Sequence, residues 1–115
     1  MPATIAGMGR LSQQLREVGL AFTPQDLAVG AQIILAEAID NCPVDTGFLR
    51  TTAFMQVTSD DVEIGFNAEY ASYVEFGTYK MAAQPYLRPA FDAVELEALS
   101  AIVDSVTANL RDITA

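Results

Sequence analysis

Asp45-Thr46-Gly47 is the residue set in this chain with the most direct chemical precedent. Two copies of Asp-Thr-Gly, one from each subunit of a small dimer, share a proton between two carboxylates and activate water, the chemistry of retroviral aspartic proteases. A length of 115 residues suits such a subunit, but the context does not. That protease is almost wholly β, places apolar strand residues just before the Asp and closes a glycine-rich flap over its substrate. Here Asn41-Cys42-Pro43 precedes the tripeptide, no flap sequence is present, and the last quarter of the chain reads as helix. Three residues are a weak motif. A local role is simpler: Asp45 caps a helical turn running through Leu49, and Gly47 lets the chain turn tightly before a strand begins.

The other reactive side chains are few. There is no histidine, which removes the usual general base and metal ligand and both the Ser/His/Asp and Cys/His arrangements. Cys42 has no basic neighbour in sequence to lower its pKa and reads as a small buried apolar residue. We therefore expect no catalytic residue, no metal and no cofactor. Arg50, Glu75 and Arg88 are charges set within apolar segments, so burying any of them requires a partner. The expectation is that Glu75 pairs with Arg50 or Arg88, within one subunit or between two. Tyr70, Tyr73, Phe76, Tyr79 and Tyr86 would serve as a stacking platform for single-stranded nucleic acid only beside a positive groove. Lys80 and Arg88 are the only cations near them in sequence. Core and subunit-interface packing accounts better for these rings.

The elements that must position these residues are legible from periodicity and caps. Residues 1–9 have no sustained period and read as a loose arm before a short helix from Leu11 to Val18 that Gly19 ends. Thr23-Pro24-Gln25-Asp26 is a helix start, with a hydroxyl cap, proline at the first position and an acid in the first turn. The helix should reach about Asp40, with Leu27, Ala31, Ile34, Leu35 and Ala38 as its core stripe. Arg50 to Thr58 favours a strand, Ser59-Asp60-Asp61 a hairpin turn, and Val62, Ile64 and Phe66 alternate on a second strand. Asn67 would cap a short helix from Ala68 through Phe76, closed by Gly77, with Tyr70, Ala71 and Val74 facing inward. Thr78 to Gln84 reads as an exposed loop, and Pro85 and Pro89 bracket the entry to a long last helix. Asp92 and Glu95 near its start and Arg111 near its end complement the helix dipole. Its apolar seam is expected at Leu96, Leu99, Val103, Val106, Leu110 and Ile113, packed on the domain's own sheet. The fold class is thus α+β, a small antiparallel sheet packed against a first long helix and a long C-terminal helix, as one domain over residues 1–115.

Composition narrows the class of partner. Hydrophobic residues make up 51% of the chain and charged ones 18%, against about 25% charged in an average soluble domain. Little polar material is left to cover the surface, which favours oligomerisation. Six Lys plus Arg against fifteen Asp plus Glu give a net charge of −9, which disfavours tight DNA binding but not a surface past which DNA slides. No segment has a signal-peptide pattern or the roughly 20 apolar residues of a membrane span, so cytoplasmic assembly without a membrane is expected.

Three segments, Pro43-Val44-Asp45-Thr46-Gly47-Phe48-Leu49-Arg50, Tyr70-Ala71-Ser72-Tyr73-Val74-Glu75-Phe76-Gly77-Thr78 and Gln84-Pro85-Tyr86-Leu87-Arg88-Pro89-Ala90, occur in this order over roughly half the chain. Together they resemble the neck or tail-completion family of long-tailed bacteriophages, the group that includes the minor tail protein Z of phage lambda. The chain is more acidic than a typical member. The resemblance implies a non-enzymatic structural component of the virion at the head-tail junction, assembled in the host bacterial cytoplasm. It further implies a homo-oligomeric ring, expected to be a hexamer, with DNA only as passing cargo. Its neighbours would be head-closure or connector proteins and tail-terminator or tail-tube proteins. Pro43, Asp45, Thr46, Gly47, Leu49, Arg50, Tyr70, Glu75, Phe76, Gly77, Thr78, Pro85, Leu87, Arg88 and Pro89 would carry the structural motif. Contacts between subunits are expected from the hairpin and the Thr78 to Gln84 loop, with Tyr73, Tyr79, Lys80, Met81 and Tyr86 as candidates. A small oligomeric adaptor unrelated to phage is the alternative.

Overall fold

A computed structural model describes residues 4–19, 21–42, 47–59, 61–68, 70–79 and 82–114. In chain order the elements are β1 (Thr4–Gly7), α1 (Gly9–Glu17), α2 (Pro24–Asn41), α3 (Gly47–Thr51), β2 (Ala53–Val57), β3 (Val62–Phe66), α4 (Ala71–Phe76) and α5 (Arg88–Thr114). The fold is α+β, with a small antiparallel sheet packed against α2 and the long α5 lying on α2. The sheet has the order β1-β3-β2. The expected loose arm is therefore, over Thr4–Gly7, an edge strand that pairs with β3. A four-residue strand ending in glycine offers too little alternation to be read from sequence.

In β3, Val62, Ile64 and Phe66 are buried, and the register sets Val57, Met55 and Ala53 of β2 beside them on the same face. Thr58 closes the hairpin, its hydroxyl donating to the Asp61 carbonyl and accepting from the Asp61 N–H. The strand expected from Arg50 starts only at Ala53, because residues 47–51 complete a helical turn. That turn buries Leu49 and ends as the Thr52 hydroxyl bonds back to the Leu49 carbonyl.

Helix α2 begins as its sequence dictates. Thr23 and Asp26 form a reciprocal capping box, with Pro24 at the start of the helix. Asp26 is buried, and its second oxygen accepts the Ser105 hydroxyl of α5 at 2.7 Å. Burial alone would raise its carboxyl pKa, but the bonds from Ser105 and Thr23 outweigh it and hold the group below its ordinary value. This contact sets the register of an antiparallel α2–α5 pair, since Asn41 at the far end of α2 donates to the Tyr86 carbonyl just before α5. Midway, Gly30 lies so close to α5 that a Cβ there would stand 2.6 Å from Ile102 Cδ1 and 3.0 Å from the Ala98 carbonyl oxygen.

That close approach corrects the seam expected on α5. The buried stripe is Ala90, Ala98, Ile102 and Val106, with Val94 and Leu99 partly covered, whereas Leu96 is 80% exposed and Val103 also faces solvent. Tightly approaching helices select small residues at the contact. The larger Leu96 and Val103 signalled a core face from sequence that α2 does not cover. The side chains of Leu110, Arg111 and Ile113 lie outside the described residues. The molecule is elongated, 57 × 23 × 22 Å, because a 27-residue helix is about 40 Å long.

Candidate functional site

The second and third segments singled out by sequence meet where α4 delivers the chain to α5. Helix α4 starts at Ala71, with Tyr70 at its N-cap and no side-chain cap bond, so Asn67 does not cap it. It ends at Gly77, whose φ of 76° lies in the region that favours glycine. The Gly77 N–H closes the last turn on the Tyr73 carbonyl. The Gln84 N–H then returns to the Val74 carbonyl at 2.8 Å, so the intervening loop leaves and re-enters at one point.

Glu75 organises this junction. It is 4% exposed, yet no arginine among the described residues lies within ion-pair distance of it. Its Oε1 accepts the backbone N–H groups of Tyr86 at 3.1 Å and Leu87 at 2.8 Å, and its Oε2 accepts that of Arg88 at 3.3 Å. These are donors at the start of α5, which the helix cannot satisfy itself and around which its dipole is positive. The expected pairing with Arg50 or Arg88 is thereby corrected: a helix N-terminus is the counter-charge. It also corrects the dipole assignment, since the first turn of α5 contains no acid and Glu75 supplies the negative charge from α4. Glu95, two turns in, instead pairs with Arg10 of α1 at 2.9 Å.

Around the clamp, Tyr86 is fully buried, its ring edge-on to Phe66 at 4.8 Å and its hydroxyl donating to the Ala71 carbonyl. Tyr86 is thus a core residue and not part of an assembly surface. Leu49, Leu87, Ala71 and Val74 are buried, and Tyr70 and Pro89 are half-buried. Arg50 donates to the Cys42 carbonyl at 3.2 Å, tying the end of α2 to α3. Cys42 bonds back to Ala38 through its thiol, and burial pushes its pKa up against the opposing pull of Arg50. Pro43, Asp45 and Thr46 lie outside the described residues, and so does the proposed cap; Gly47 opens α3.

The outward side of the junction is different in kind. Tyr73, Phe76 and Tyr79 are 52, 73 and 94% exposed, and Thr78, Ala82, Ala83, Gln84, Pro85 and Arg88 are exposed with them. Lys80 and Met81 lie outside the described residues. The sequence places Phe76 in the structural motif and among the rings expected to pack in the core or at a subunit interface; the fold turns its ring away from the core. Among the described residues there is no cluster of acid, Cys or His side chains able to hold a metal, and no helix long and apolar enough to cross a membrane. What this side of the junction offers chemically is exposed aromatic surface beside a hydrogen-bonded helix junction.

The sequence model of the family described as "Bacteriophage HK97-gp10, putative tail-component" matches residues 4–77, from β1 through the end of α4. No curated protein and no solved structure matches the chain.

Proposed function

This chain belongs to the bacteriophage HK97-gp10-like family of tail components, and from that membership we propose that it is a neck or tail-completion protein at the head-tail junction. In this reading it is a structural part of the virion, akin to the minor tail protein Z of phage lambda and built in the host cytoplasm. Copies of it form a closed ring, a hexamer in keeping with the symmetry of tails, between head-closure or connector proteins and tail-terminator or tube proteins. It has no catalytic step; helices α2 and α5 are foreign to the almost wholly β aspartic proteases.

The observation that carries the proposal is the exposed aromatic face on a clamped junction, in a chain too poor in charge to leave such a face in water. The net charge of −9 suits a ring that passes DNA without adhesion, because acids lining a channel repel phosphates. Native mass spectrometry across a concentration series tests assembly. A closed ring of six or twelve copies is expected, and a discrete dimer or a monomer at every concentration overturns the ring. A ring whose channel wall is neutral or basic overturns the account of DNA passage.

A further inference from the structure

Residues 70–89 contain one acid, Glu75, and two cations, Lys80 and Arg88, a net +1 that leaves −10 for the remainder of a chain totalling −9. Glu75 is buried in the clamp, so the segment that bears Tyr73, Phe76 and Tyr79 turns no acid toward solvent. A segment of exposed aromatic rings whose exposed charge, among the described residues, is the cation Arg88 is complemented by a surface that is apolar and acidic. The molecule has one. Between α2 and α5 an open groove of about 310 Å³ is lined by apolar Ile33, Ala36 and Val94 and by the carboxylates Glu37, Asp40 and Glu97.

We propose that the aromatic face of one copy docks into the acid-lined groove of the next copy. This rests on the ring reading and names its contact. Self-pairing of either surface is opposed by charge: face on face sets the exposed Arg88 against its own copy, and groove on groove sets three carboxylates against three. Face into groove relieves both and leaves each copy with one unused face and one unused groove. Such a head-to-tail contact propagates from copy to copy and closes when the rotation divides the circle. The groove opens within the first three turns of α5, at the end of the molecule that bears the aromatic face. Neighbouring copies therefore stand side by side at that end, not end to end along α5.

The test uses the full chain and two double variants, each altering one surface at exposed or half-exposed positions. Phe76→Ser/Tyr79→Ser removes the face, Glu37→Lys/Glu97→Lys reverses the groove, and a thermal melt verifies that each folds. Native mass spectrometry should find a ring for the unmodified protein and monomers for each variant alone. An equal mixture should give a one-to-one dimer that grows no further, since it has one intact face and one intact groove per pair. Variants that still form rings, or a mixture that stays monomeric, overturn the contact and leave the ring standing. A monomeric unmodified protein overturns both. If Phe76→Ser/Tyr79→Ser instead loses binding to a single-stranded oligonucleotide while its assembly is unchanged, the face stacks nucleic acid and the docking proposal is wrong.

Discussion

Replacing Glu75 isolates the clamp, because its carboxylate is the acceptor for three backbone donors at once. Hydrogen bonds to a charged group contribute about 1.5–3 kcal/mol each when well made. The bonds to Leu87 at 2.8 Å and Tyr86 at 3.1 Å qualify. The 3.3 Å bond from the Arg88 N–H adds less, its residue being exposed and open to water. Glu75→Ala is therefore expected to cost about 3 kcal/mol, the lower end of the range for breaking a buried charge interaction, and to lower Tm by on the order of 10 °C. Glu75→Gln keeps one carbonyl oxygen for Tyr86 and Leu87 but turns an NH2 donor toward the Arg88 N–H and removes the charge at the helix start. Its expected cost is about 1–2 kcal/mol. Urea titration followed by circular dichroism, at one fixed protein concentration so that assembly does not contribute unequally, reads both. An alanine variant within about 0.5 kcal/mol of the unmodified protein refutes the clamp. A glutamine variant as unstable as alanine refutes the assignment of acceptor geometry over bare charge.

Two further predictions concern the packing of α2 on α5. Asp26 is held below its ordinary pKa in the fold, so its contribution is fully present above the unfolded value near 3.8 and is lost as pH falls through the lower folded value. The stability difference between the unmodified protein and Asp26→Asn, followed by denaturation from pH 6 to pH 2, should be largest at pH 6 and shrink below about pH 4; a difference that grows on acidification contradicts the assignment. On α5, Ile102→Ala should cost about 2–4 kcal/mol as a core truncation. Leu96→Gln should change stability by less than about 0.5 kcal/mol, and the reverse order in thermal melts would restore the seam read from sequence.

Local chemistry was legible wherever neighbours in sequence decide structure. Thr23-Pro24-Gln25-Asp26 announced the start of α2, alternation marked β3, and Gly77 ended α4 as its residue type demands. Legibility failed where a distant segment decides. The stripe on α5 was displaced because α2 brings Gly30 to the contact, so Ala98 is preferred there over a leucine. Glu75 was assigned an arginine because a buried carboxylate needs positive charge. Its actual partner is a set of backbone N–H groups, which exist for every sequence and carry no residue signal. Within the last two segments the sequence does not show which rings face inward: Tyr86 is buried and Phe76 exposed.

That division bears on why the junction is built from a buried charge at all. An apolar residue in place of Glu75 would pack without desolvation cost, and buried ionic groups are often no more stabilising than such replacements. What an apolar residue cannot do is fix three consecutive N–H groups at once, which locks the first turn of α5 to the last turn of α4. The loop bearing Tyr79 springs from those two turns, closed at its base by Gln84 on Val74. Tyr73 and Phe76, borne on α4 itself, are held by that lock on a fixed helix, and in the proposed docking this spares part of the ordering cost of association. Under the docking proposal, the clamp pre-organises the helix that bears Tyr73 and Phe76 rather than maximising the stability of one copy. On this argument the inward residues of the segment, Glu75, Gly77, Tyr86 and Leu87, and the outward ones, Tyr73, Phe76 and Tyr79, serve one purpose from opposite sides.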